Sequence, residues 1–154
     1  MNHALQGIRV LLADDHAIVR LGFRLLLEGA GAQVVGEAET GESAIRLYAE
    51  STPDLVVMDV SMPGIGGLAA LERLLAWEPK ARVLMLSAHH DDIVPVRALR
   101  LGASGYLCKR AAPDEFLRAV GQVAGGRRYL DPELAQNVAL AQLSGSANPV
   151  DTLT

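Results

Sequence analysis

Short apolar runs alternate with longer amphipathic stretches along most of the chain. Ile8-Arg9-Val10-Leu11-Leu12-Ala13, Leu55-Val56-Val57-Met58 and Val83-Leu84-Met85-Leu86 are near-continuous apolar segments rich in branched residues. That is how parallel strands covered on both faces read. Gln33-Val34-Val35-Gly36-Glu37-Ala38 and Gly105-Tyr106-Leu107-Cys108 are more mixed, as edge strands are. Between these runs the period changes. Val19, Phe23, Leu26 and Leu27 recur at helical spacing before Glu28-Gly29, and Leu68, Leu71 and Leu75 do so after Gly66-Gly67. Thr40 is a candidate cap for a helix carrying Ala44, Ile45 and Tyr48. Pro95 fits only the first turn of a helix running towards Leu101-Gly102, and Pro113 opens one carrying Leu117, Val120 and Ala124.

Five alternating strand and helix units require a parallel sheet with right-handed crossovers and helices on both faces. The expected architecture is α/β, a doubly wound five-stranded parallel sheet of flavodoxin-like order 2-1-3-4-5. Its ligand site lies at the carboxyl ends of strands one and three. Beyond Gly125-Gly126 the pattern changes: Asp131-Pro132-Glu133 starts a further helix with Leu134, Val138 and Ala141 on one stripe, and Ser144-Gly145-Ser146-Ala147-Asn148-Pro149 reads as a linker. The expected division is residues 1–126 as one domain and 127–154 as a linker helix and flexible linker.

Composition narrows the class. At 154 residues, 50% hydrophobic and 21% charged, the chain is long enough for one core without disulfide or metal staples. No apolar run approaches the roughly 18 residues of a membrane-spanning helix, and the N-terminus lacks the regions of a signal peptide. With the single Cys108, a reducing cytoplasmic location is the expectation. A net charge of −4 argues against a phosphate-binding surface for nucleic acid.

Candidate chemistry sits where each central strand ends: Asp14-Asp15 after strand one, Asp59 after strand three, Ser87 after strand four and Lys109 after strand five. In this fold those ends converge on one crevice. Adjacent carboxylates repel one another, and a divalent cation relieves the repulsion. An oxygen-only ligand set suits Mg2+ better than zinc. With Mg2+ bound, one carboxylate can attack phosphorus while the metal and Lys109 neutralise the transferring oxygens. The expected chemistry is phosphoryl transfer onto an aspartate.

Asp14-Asp15, Asp59-Val60-Ser61-Met62-Pro63-Gly64, Ser87-Ala88 and Gly102-Ala103-Ser104-Gly105-Tyr106-Leu107-Cys108-Lys109 together resemble the receiver domain of two-component response regulators, over about residues 8–126. The fold this implies is CheY-like. Ala13-Asp14-Asp15-His16 with Val19-Arg20-Leu21-Gly22 is most similar to the NarL/FixJ subgroup, whose output domain is a LuxR-type helix-turn-helix. The resemblance implies that Asp59 is the phosphoacceptor, with a sensor histidine kinase as donor. It implies that Asp15 and Asp59 bind Mg2+, with the Ser61 backbone carbonyl, while Asp14 acts through water. Ser87 and Lys109 would contact phosphoryl oxygens, and Tyr106 is the expected aromatic switch. It further implies a phosphoacceptor switch rather than a turnover enzyme, with DNA bound only through an effector domain outside this chain and with a homodimer on phosphorylation as one outcome. Leu153-Thr154 resembles the opening of that effector domain. Kinase docking is expected around residues 17–27. Receivers commonly carry Lys-Pro after strand five; Arg110 follows Lys109 here, which leaves that bond's geometry open.

Other readings compete. An aspartyl-phosphate phosphohydrolase would want a second Asp two residues after Asp59, where Ser61 stands. A stand-alone receiver in a phosphorelay is another alternative. A flavin or nucleotide site needs a Gly/Ser/Thr-rich loop after strand one, and Asp14-Asp15 would repel its phosphate. His16 is read as a helix-start residue, His89-His90 as exposed positions near the crevice rim, Met58 and Met62 as packing, and Cys108 as a small buried strand residue.

Overall fold

The computed structural model describes residues 4–88 and 93–130, together with positions 132, 135, 136, 139 and 140. The elements run β1 (Arg9–Ala13), α1 (Ala17–Gly29), β2 (Gln33–Ala38), α2 (Gly41–Ser51), β3 (Leu55–Asp59), α3 (Gly66–Trp77), β4 (Val83–Ser87), α4 (Ile93–Leu101), β5 (Gly105–Cys108), α5 (Pro113–Ala124) and β6 (Tyr129–Leu130). All strand pairings are parallel, in the order β2-β1-β3-β4-β5-β6.

Period-two alternation divides the core into two layers. Leu11, Val56, Met58, Val83, Met85 and Tyr106 face one side, where Ala44 and Tyr48 of α2, Leu71 and Leu74 of α3 and Ala98 of α4 cover them. Val10, Leu12, Leu55, Val57, Leu84 and Leu107 face the other, against Leu27 of α1 and Phe116, Val120 and Val123 of α5. The expected helix starts hold. Thr40 Oγ1 accepts from the Ser43 amide at 3.0 Å and Ser43 Oγ from the Thr40 amide at 3.1 Å, so two otherwise orphaned donors at the start of α2 are satisfied reciprocally. Pro113 opens α5, and Pro95 lies in the first turn of α4, where no helical amide bond is lost.

The expected order of five strands is present, and a sixth extends it. Tyr129 and Leu130 pair with Gly105 and Tyr106, so the sheet continues past residue 126. This approach needs a glycine: a Cβ on Gly105 would stand 2.7 Å from the Tyr129 carbonyl oxygen. Tyr129 also donates its hydroxyl to Glu115 of α5 at 2.9 Å, fixing the new edge strand to the helix below it. At the other end, Leu5 is fully buried in the α1/α5 layer and its amide bonds the Ala30 carbonyl. The folded unit therefore begins before Ile8. Pro132, Ala135, Gln136, Ala139 and Leu140 are helical. The other residues of the expected linker helix, the Ser144 to Pro149 linker, Leu153-Thr154 and His89-His90 lie outside the described residues.

The start of α3 lies directly against the end of β3. The Gly67 amide donates to the Val60 carbonyl at 3.0 Å, and a Cβ on Gly67 would collide with the backbone of Asp59 and Val60. Backbone atoms cannot rotate away as a side-chain tip can. Gly67→Ala is expected to lower unfolding free energy in urea by about 1–3 kcal/mol, the usual cost of overpacking. An unchanged midpoint would contradict this packing.

Candidate functional site

β1 and β3 are adjacent and parallel, with Ala13 opposite Met58, so Asp14 and Asp59 leave the sheet side by side. β4 and β5 continue the edge: Asp59 lies opposite Leu86, and Ser87 opposite Cys108. The Lys109 amide then donates to the Ser87 carbonyl at 2.8 Å. Parallel register alone thus brings four strand ends to one place, as the sequence predicts.

The centre of the site is a three-way ion contact. Lys109 Nζ lies 2.8 Å from Asp59 Oδ2 and 2.8 Å from Asp14 Oδ2. Asp59 is 2% exposed, and the Lys109 side chain 12%. Asp59 Oδ1 accepts the Ser61 amide at 3.1 Å. Asp15 is more open to solvent than Asp14. Asp14 is in direct contact with the Lys109 ammonium. Ser61 is exposed, with its backbone turned to Asp59; Ser87 is buried at the end of β4; Tyr106 is buried in the α2/α3/α4 layer. No cis peptide bond occurs among the described residues, so the bond from Lys109 to Arg110 is trans.

Electrostatics follow from this packing. Burial pushes the Asp59 carboxyl above the ordinary carboxylate range, and the charge of Asp14 adds to the push; the bonds from Lys109 and from the Ser61 amide oppose it. For Lys109, burial acts downward, but the hydrogen bonds to Asp14 and Asp59 more than offset it, and the ammonium is held above its usual value. Three carboxylates against one ammonium leave formal charge uncompensated. Asp14, Asp15, His16 and Asp59 each place one ligand atom within 4.8 Å of the others. A small, oxygen-dominated donor set of this kind fits Mg2+.

Two residues join the site that sequence reasoning gave other roles or none. His16 Nδ1 lies 3.2 Å from Asp14 Oδ1 and 3.1 Å from Asp15 Oδ1. Its position right after the acidic pair was the only available signal. Arg20, largely buried on α1, donates to the Asp14 backbone carbonyl at 2.6 Å and to Glu37 Oε1 at 2.8 Å, while Arg24 donates to Glu37 Oε2 at 2.7 Å. The guanidinium thereby holds the peptide that joins Asp14 to Asp15. On the other side of the site, Glu42 of α2 accepts the Ile65 amide at 3.1 Å and ties down the loop after β3.

The sequence matches the family described as response regulator receiver domain over residues 10–121. It is 42% identical to the response regulator GacA of Pseudomonas aeruginosa over 150 residues, which is 96% of this chain and 70% of that protein. It is 43% identical to the response regulator UvrY of Escherichia coli over 137 residues, 88% of this chain and 63% of that one. The chain thus spans about two-thirds of the length of these relatives. The crystal structure of a LuxR-family two-component response regulator from Aurantimonas sp. superposes with a TM-score of 0.84 at 41% identity, covering 88% of this chain and 98% of the other.

The Arg20–Glu37 contact has a pH consequence. The Arg20 hydrogen bond, aided by Arg24 and opposed by burial, holds the Glu37 carboxyl below the usual carboxylate range. A depressed carboxyl contributes stability that is present above its unfolded-state value and lost as pH falls through its folded-state value. Glu37→Gln is expected to cost roughly 0.5–1 kcal/mol at neutral pH, a partly exposed pair being screened by solvent. In urea unfolding across pH, that difference from wild type should be constant above about pH 5 and shrink on acidification. A difference that grows towards low pH would contradict the account.

Proposed function

The chain belongs to the response regulator receiver-domain family, and on that premise we propose that Asp59 accepts a phosphoryl group from a phosphohistidine on a sensor histidine kinase. The observation that carries this reading is the largely buried Lys109 ammonium placed 2.8 Å from both Asp59 and Asp14. A carboxylate oxygen of Asp59 forms the new O–P bond, the P–N bond to the kinase histidine breaks, and the imidazole leaves with the electron pair. Burial favours this attack by keeping the carboxylate poorly solvated. Lys109 stays charged and neutralises phosphoryl oxygen charge as it develops.

Asp15, Asp59 and the Ser61 carbonyl would hold Mg2+, with Asp14 reaching it through water; the ion supplies further charge neutralisation on the transferring oxygens. Arg20 keeps the Asp14–Asp15 peptide in place, and the Ser61 amide orients Asp59. Arrival of a phosphate beside Asp59 draws Ser87 and Lys109 towards it, the loop after β4 shifts, and Tyr106 repacks. A local charge event thereby changes the face made by α4 and β5. The chain acts as a self-phosphorylating, slowly self-dephosphorylating switch rather than a turnover enzyme. Its output is control of a LuxR-type DNA-binding domain on the same polypeptide, with dimerisation as one route to that control.

Incubation with Mg2+ and a small phosphodonor is expected to add one phosphoryl group at Asp59, seen by intact-protein mass spectrometry. Asp59→Asn should gain none. Undiminished labelling of that variant would remove Asp59 from the acceptor role.

A further inference from the structure

His16 is the N-cap of α1, with extended backbone, yet its side chain makes no capping hydrogen bond. The ring turns back towards the acidic pair instead. Its own amide donates to Asp14 Oδ1 at 2.8 Å, which closes the tight turn after β1 and fixes where the imidazole starts. From there Nδ1 reaches 3.2 Å from Asp14 Oδ1 and 3.1 Å from Asp15 Oδ1.

Those separations have a simple geometric meaning. Two donors at right angles on one ion, each about 2.1 Å from it, stand about 3.0 Å apart. His16 Nδ1 is thus spaced from Asp15 Oδ1 as a neighbouring ligand on one cation would be. Lys109 occupies the other oxygen of Asp14, so the arrangement needs no break in the central ion contact. The ring reaches the acidic pair from a side chain that is 63% exposed, and an imidazole nitrogen is a good donor to a metal ion.

We propose that His16 is a specificity-determining residue of this cation site, adding one nitrogen donor that favours transition-metal ions such as Co2+ relative to Mg2+. The inference rests on the acidic cluster being the cation site of the proposed function. The chemical basis is that Mg2+ binds best to hard oxygen donors, whereas imidazole gains more from ions later in the first transition row. Truncating His16 therefore removes little from Mg2+ binding and more from Co2+ binding. The site keeps Mg2+ through its carboxylates and takes up transition ions through the same carboxylates plus the ring.

Isothermal titration of the 154-residue chain with Mg2+ and with Co2+ tests this, together with the visible spectrum of bound Co2+. Only Co2+ that excess Mg2+ displaces, and that Asp15→Asn fails to bind, is counted, which separates this site from other histidines. His16→Ala is expected to lower the ratio of Co2+ to Mg2+ affinity by about tenfold, the scale on which neighbours of a metal tune its binding, and to alter the Co2+ ligand-field bands. His16→Asn, which keeps a good helix cap, should do the same. An unchanged ratio and spectrum, with Mg2+ still bound, would overturn the role of His16 alone. Failure of the wild-type chain to bind Mg2+, or normal binding by Asp15→Asn, would overturn the cation site and this inference with it.

Discussion

Two buried carboxylates share one largely buried ammonium, and the organisation of the sheet edge follows from that contact. An isolated charge in a protein interior is costly, and a pair is tolerated only when its geometry is held. Lys109 meets Asp14 and Asp59 at equal distance because β1, β3, β4 and β5 run parallel and end together. Slipping one strand by a single residue would turn its terminal side chain to the opposite face. The glycine at position 67 and the guanidinium of Arg20 then act on backbone rather than on the charges themselves, fixing where each carboxylate starts, while the Ser61 amide holds one oxygen of Asp59 directly.

The same arrangement explains how a rigid sheet can support a switch. The strands β3, β4 and β5 are buried along their whole length and have little freedom to move. The residues carrying chemistry lie at the last position of their strands, as Asp59 and Ser87 do, or one or two positions beyond, as Asp14, Asp15 and Lys109 do, where loops can shift without breaking the ladder. In the proposed function, a phosphoryl group on Asp59 changes the charge balance around Lys109, and motion is drawn from the loops after β3 and β4. Glu42, anchoring the Ile65 amide, limits the first of these.

Much of this was legible in the sequence because its signals are local and strong. Continuous branched runs gave β1, β3 and β4; Thr40 and Pro113 marked helix starts that the structure keeps; and polar residues after apolar strands marked the site. What escaped has no local signature. β6 is two residues long and lies between Arg127-Arg128 and Asp131-Pro132, too short for any period to register. Its existence depends on Gly105, 24 positions earlier in the chain, leaving room for the Tyr129 carbonyl. Leu5 has only a tertiary reason to be buried. Arg20 stood inside a recognisable motif, but its bond to the Asp14 carbonyl depends on how α1 packs over β1. The direct contact of Lys109 with Asp14 is likewise a property of spatial neighbours.

Lys109 is the shared counter-ion of Asp14 and Asp59. A double-mutant cycle with Lys109→Met and Asp14→Asn, read by urea unfolding without divalent cations, tests it most directly. The predicted result is that Asp14→Asn recovers much of the stability lost in Lys109→Met, with a coupling of roughly 1–3 kcal/mol. Strictly additive effects of the two substitutions would contradict it.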